Sequence, residues 1–185
     1  KSLSEKLSVT LPYVSKIEIT REFPTTLKIK VYEAYEEKAF YRDSLFYSAD
    51  KNGKILNEYY ERPDGLPITI AAKNDRLEKG YNYAAENETG VAIESAVFEF
   101  AKSRGINVTL VNATDIYRSY FIVDDSVLVL LGSSTYLDRK LDFLPKTLKS
   151  IGDANHNVID ISGWSPDNNE AISYEKDINS YFVFK

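Results

Sequence analysis

The stretch that decides the fold runs from Leu11 to Tyr41 and reads LPYVSKIEITREFPTTLKIKVYEAYEEKAFY. Ile17 and Ile19 alternate with Lys16, Glu18 and Thr20; Leu27, Ile29 and Val31 alternate with Lys28, Lys30 and Tyr32. Side chains two apart in an extended chain share a face, so each set predicts a strand with one apolar and one charged face. Between them, in Glu22-Phe23-Pro24-Thr25-Thr26, the proline cannot donate to a ladder and favours a turn. The pattern predicts an antiparallel hairpin whose apolar face needs cover. Leu3 and Leu7 are four apart in Ser2–Val9 and fall on one face of a helix that can supply some of it.

Past Glu33 the pattern shifts to short strands separated by turns, which places a domain border near Glu33–Glu36. Leu45-Phe46-Tyr47 and Ile55-Leu56 flank Asn52-Gly53, a pair that tolerates positive φ and marks a hairpin. Arg62–Gly65 reads as a turn and Leu66-Pro67-Ile68-Thr69 as a strand, while Asn74–Glu88 is polar and reads as a loop. Ile93, Val97, Phe100 and Ala101 recur at helical spacing, which predicts a helix over Thr89–Arg104 stopped by Gly105. Strands are expected over Ile106–Val111, Tyr117–Val123 and Val127–Leu131, the last two joined by a tight turn at Asp124-Asp125-Ser126. Val127–Leu131 does not alternate, so burial on both faces is expected. Ser133-Ser134-Thr135 is expected to open a helix running to Ser150, with Thr135 and Asp138 as a weak cap pair. Leu137, Leu141, Leu144, Leu148 and Ile151 form its stripe, and Pro145 predicts a kink or break near Leu141. The closing strands are expected at Val158–Ser162, Ala171–Tyr174 and Ser180–Phe184.

Composition narrows the function. The 185 residues suffice for one or two domains with a real core, and 43% apolar with 28% charged residues argues against disorder. A net charge of −5 without a basic stripe argues against a nucleic-acid partner. Fourteen tyrosines suit half-buried strands and also suit an interface. With no cysteine there are no disulfides and no thiolate chemistry. His156, among Asp153, Asn155 and Asn157, has no nucleophile or orienting acid legible beside it. Asp124-Asp125 reads as a solvated hairpin tip, and Asp50-Lys51-Asn52-Gly53 lacks the distal glutamate of a calcium loop. Gly132-Ser133-Ser134 could hold an anion on free amides but reads more simply as a cap. Trp164 could pack on the sheet or touch a partner. The expectation is therefore a non-enzyme with no catalytic residue, cofactor or metal. The other classes weighed are a module that handles outer-membrane proteins and, more remotely, a carboxylate-dependent hydrolase.

The order of these pieces resembles the bacterial cell-division family FtsQ/DivIB. The resemblance rests on the helix, Leu11-Pro12-Tyr13-Val14, the Phe23-Pro24 turn and the second strand leading to Val31-Tyr32-Glu33. It continues through Leu66-Pro67, Arg118-Ser119-Tyr120, Leu131-Gly132-Ser133, Lys140-Leu141 and Val158-Ile159-Asp160-Ile161-Ser162. It implies an α+β chain: residues 1–35 as the C-terminal part of a POTRA domain, lacking its first strand and helix, then 36–185 as a mainly antiparallel β domain with helices on one face. A partial POTRA unit is expected to expose Ile17, Ile19, Leu27 or Ile29. The resemblance also implies a single membrane-spanning helix upstream, an extracytoplasmic location at the division septum, and FtsB/DivIC-like and FtsL-like coiled-coil partners. Arg118, with Tyr120, matches the family's Arg-Ser-aromatic motif at a partner-contact position. Tyr181-Phe182-Val183-Phe184 is apolar on both phases, so the last strands, with Ile172, Tyr174, Tyr181, Phe182 and Phe184, are expected to form an edge that adds a partner strand. Deleting residues 179–185 is then expected to abolish capture and leave the fold largely intact.

Overall fold

The structure is a computed structural model that describes residues 3–83, 86–151 and 156–184. The chain forms two compact units, Lys1–Leu66 with Lys73–Glu86, and Pro67–Ala72 with Asn87–Lys185. These units are not the expected 1–35 and 36–185. Side-chain bonds tie the first hairpin to residues beyond the expected border: Lys54 Nζ donates to Val14 O at 2.7 Å, and Tyr13 Oη donates to Glu36 Oε1 at 2.5 Å.

In the first unit, helix α1 (Leu3–Thr10) precedes strands β1 (Val14–Glu22) and β2 (Thr26–Glu33), which pair antiparallel as a sheet of their own. The expected start at Ser2 lies outside the described residues, and the helix continues one residue past the expected end, to Thr10. The register sets Ile17 opposite Val31 and Ile19 opposite Ile29, so the alternating apolar residues do share one face. That face is open, with Ile19, Leu27, Ile29 and Val31 between 41% and 58% exposed. The turn at Phe23-Pro24 contains a cis peptide. Strands β3 (Lys38–Arg42), β4 (Leu45–Ala49) and β5 (Ile55–Tyr59) come next as an antiparallel meander. The β4–β5 turn is held by Asp50, whose Oδ1 accepts from the amides of Asn52 and Lys54, while Gly53 sits at φ 81°. Asp50 therefore serves the turn. Phe40, Ile55 and Leu56 are fully buried, and Phe40 stacks on Tyr83 with ring centroids 4.1 Å apart.

The second unit holds a mixed sheet, in the order β6 (Ile68–Ile70), β7 (Val108–Asn112), β8 (Ser119–Val123), β9 (Val127–Gly132), β10 (Val158–Asp160) and β11 (Ile172–Tyr174). Helix α2 (Glu88–Arg104) connects the parallel strands β6 and β7; helix α3 (Leu137–Ile151) connects the parallel strands β9 and β10. The other pairs are antiparallel. Both crossovers step one way along the sheet between co-directed strands, so crossovers of one hand place both helices on the same face. One core has Ile93, Val97, Phe100, Leu141, Leu144 and Ile151 from the helices against Val111, Phe121, Val129 and Leu131 from the strands. The other core lies on the far face, where Leu110, Ile122, Leu128 and Val158 pack with Ile178 and half-buried Tyr174, Tyr181, Phe182 and Phe184. Strand β9 thus feeds both cores, with Leu128 in one and Val129 in the other, as its non-alternating sequence requires.

Local signals explain the ends. Asn87 Oδ1 accepts from Gly90 N to cap α2, and Gly105 at φ 65° ends it. Asp124 and Asp125, both at φ 51°, make the β8–β9 turn, closed by Ser126 N donating to Val123 O at 3.0 Å. Helix α3 runs through Pro145 without a break and opens at Leu137, not Ser133–Thr135, because Tyr136 sits at φ 58° outside the helical region. The expected strand Ser180–Phe184 is not a strand. Asn179–Tyr181 is one 3₁₀ turn, and the segment after β11 lies on the sheet face opposite the helices. Its aromatics pack on that face, which accounts for apolar residues on both phases.

Candidate functional site

Strand β11 ends the order of the sheet among the described residues, and pairs on one side only, with Ile172 opposite Asp160 and Tyr174 opposite Val158. Ile172 is 66% exposed, whereas Tyr174 packs toward the far-face core. An edge of this kind presents backbone N–H and C=O groups for which a further strand is the natural complement.

At the Ile172 end of the sheet, inward of β10, lies a pocket of about 400 Å³, lined by Tyr117, Arg118, Ser119, Tyr120, Leu130, Gly132, Ser162 and Tyr181. It sits where β8 begins and β9 ends, and Ser162 is two residues past Asp160, the partner of Ile172. Its floor is close-packed. Gly132 has φ 67°, and a Cβ there would stand 2.8 Å from the Cβ of Ser162, so only glycine fits. Ser119 Oγ donates to Gly132 O at 2.5 Å. The turn before β8 is set by Asp115, whose Oδ1 accepts from Tyr117 N and whose carbonyl accepts from Arg118 N. Arg118 stands on the rim with its side chain 88% exposed, 3.9 Å from Asp115 Oδ2. Tyr120 Oη donates to Tyr181 O at 3.0 Å and accepts from Asn112 Nδ2, and its ring meets Tyr181 edge to face with centroids 5.2 Å apart. Burial pushes the Tyr120 hydroxyl above its ordinary pKa. The site can thus offer a guanidinium, an aromatic and aliphatic wall, and a backbone edge.

Of the residues read from the sequence, Arg118, Tyr120 and Tyr181 meet at this pocket, and Ile172 and Tyr174 form the edge. Phe182 and Phe184 lie in the far-face core, with rings 6.2 Å apart, and belong to no edge strand. Tyr117 and Leu130 also line the pocket and had no site signal beyond residue type, whereas Ser162 closes the Val158–Ser162 piece of the resemblance without having been read as a site residue. His156, for which no partner was legible, has Nδ1 2.9 Å from Ser173 Oγ on β11; Asp153 and Asn155 lie outside the described residues. Trp164 packs inward, against Tyr136 and Phe143. Among the described residues, no group of three or more His, Asp or Glu is placed to hold a metal, and no helix is long and apolar enough to cross a membrane. A search of family models and of curated proteins finds no match to this chain.

Proposed function

We propose that this chain is the extracytoplasmic part of an FtsQ/DivIB-type division protein, a non-enzymatic scaffold whose β11 edge receives a strand of an FtsB/DivIC-like partner. In this reading an FtsL-like protein joins the same complex, an upstream helix anchors the protein at the septal membrane, and the assembly regulates septal peptidoglycan synthesis. The observation that carries it is the half-paired strand Ile172–Tyr174, with a pocket rimmed by Arg118 at the same end of the sheet. Strand addition draws affinity from the backbone, and side-chain pockets add specificity. Arg118 then meets an acidic partner residue, since an exposed guanidinium with one loose intramolecular contact is free to turn outward. The order of sequence motifs from Leu11 to Ser162 supports the family assignment.

The test is binding of the external segment of the FtsB/DivIC-like protein from the same genome. Arg118→Glu is expected to weaken it by roughly tenfold or more, as for an arginine hot spot, at unchanged thermal midpoint. Amides of Ile172–Tyr174 are expected to exchange more slowly in the complex. Equal affinity for both proteins, or no protection of β11, would falsify the reading.

A further inference from the structure

Asn157 directly precedes β10, and each of its four polar groups has a partner. Its carbonyl accepts from Leu128 N of β9 at 2.9 Å, and its amide donates to Tyr174 O of β11 at 3.2 Å. Its side chain grips the backbone just past β11 from both sides. Oδ1 accepts from Lys176 N at 2.9 Å, and Nδ2 donates to Lys176 O at 2.8 Å. A side-chain amide bonded in this way substitutes for a strand neighbour at the point where the chain leaves the edge.

The segment that Asn157 holds leads to the pocket. The Lys176 ammonium donates to Tyr181 Oη at 3.1 Å and lies 5.1 Å from the centre of that ring. The Tyr181 carbonyl is fixed from the other side by Tyr120 Oη. Tyr181 is the one pocket-lining residue that comes from the C-terminal segment; the others belong to β8, β9 and the turns that flank β8 and β10. Among the described residues that segment forms a 3₁₀ turn at Asn179–Tyr181 and packs its side chains on the far face.

We infer that Asn157 is a positioning residue for the partner site. By clamping the backbone of Lys176 it links the β11 edge to the pocket wall at Tyr181, so that strand addition and pocket filling require the same placement of the C-terminal segment. This inference rests on the proposed function and extends it to a residue that lines neither the pocket nor the edge.

The experiment compares the whole chain with its Asn157→Ala and Asn157→Asp variants, by affinity for the same FtsB/DivIC-like segment and by amide exchange of residues 174–184. Asn157→Ala loses both clamping bonds, and the expected result is roughly tenfold weaker binding with faster exchange at Lys176 and beyond. Asn157→Asp keeps the acceptor for Lys176 N and loses the donor to Lys176 O, so it should fall between. It also serves if the alanine variant does not fold. Faster exchange with undiminished affinity overturns the inference, as does unchanged exchange. If the unaltered chain does not bind the segment at all, the proposed function itself fails; if it binds and the Asn157 variants bind equally, only the positioning role fails.

Discussion

Lys140 carries an ammonium group into the interior of the second unit. The residue is 1% exposed, and Nζ donates to the carbonyls of Leu131 at 2.8 Å, Ser133 at 3.0 Å and Ser162 at 3.4 Å. One residue thus ties the end of β9, the turn after it and the turn after β10, the ground on which the pocket floor is built. Burial depresses its pKa, and Asp160 offsets this in part. The unfolded value is about 10.4, so between the depressed folded value and that point the unfolded chain holds more protons and stability rises with pH. Below the folded value the group is charged in both states and the burial cost is constant. Lys140→Met removes the titration and leaves three carbonyls without their donor. The expected loss is about 1–3 kcal/mol near neutral pH. The gap in urea midpoint between the two proteins should widen as pH rises toward about 10; a gap that stays constant over that range refutes the account. Lys54, also depressed by burial, is present in both proteins and cancels. Sequence reading reached Arg118, Tyr120 and Tyr181 because residue type and motif marked them. It could not reach Asn157, since an asparagine before a strand reads as a turn residue and its partner Lys176 lies 19 residues further on.

At the scale of elements, patterning succeeded where burial obeys one period. The leucine stripe of α3 lies in the core beneath the helices, and Leu144 is fully buried. Leu144→Ala should cost about 2–5 kcal/mol, the range for a buried leucine that leaves a cavity. A denaturation midpoint that does not move would show that the stripe does not form the core. Pro145 did not break the helix, because packing of Leu141, Leu144 and Ile151 on the sheet outweighs one lost backbone bond. The Asp124-Asp125 turn was legible as polar residues between two apolar runs. The β3–β4 hairpin was not, because its turn residues Asp43 and Ser44 take φ of 51° and 65° without a glycine to announce it. The C-terminal segment was misread for a physical reason. Period-two counting detects a strand buried on one face, but a segment laid on a sheet buries whichever side chains meet it. Tyr181-Phe182-Val183-Phe184 is apolar on both phases; it never met the first test, and it obeys the second.

At the scale of the second unit, the mixed sheet needs cover on both faces, and it has helices for only one. Leu110, Ile122, Leu128 and Val158 are fully buried on the other face, and the segment after β11 supplies Ile178, Tyr181, Phe182 and Phe184 against them. This reverses the expectation that the chain end can be cut without harm to the fold. Removing residues 176–185 should uncover those four strand residues and cost about 3–6 kcal/mol, taking Ile178 as buried and the three aromatics as half-buried. The truncated chain should unfold at lower urea and bind a dye specific for exposed apolar surface, as contiguous apolar patches do. Phe182→Ala is the gentler variant. It keeps the backbone and the Asn157 clamp and should lose about 1–3 kcal/mol, since the ring is only half-buried. If truncation changes neither midpoint nor dye binding, the segment is not part of the core. In that event the far face must find its cover elsewhere, and the placement of Tyr181 at the pocket would lose its structural basis. If both variants fall in the expected order, loss of partner binding on truncation reports loss of the sheet, and the role of the segment in binding must be read from Asn157 variants, which keep all of its apolar side chains.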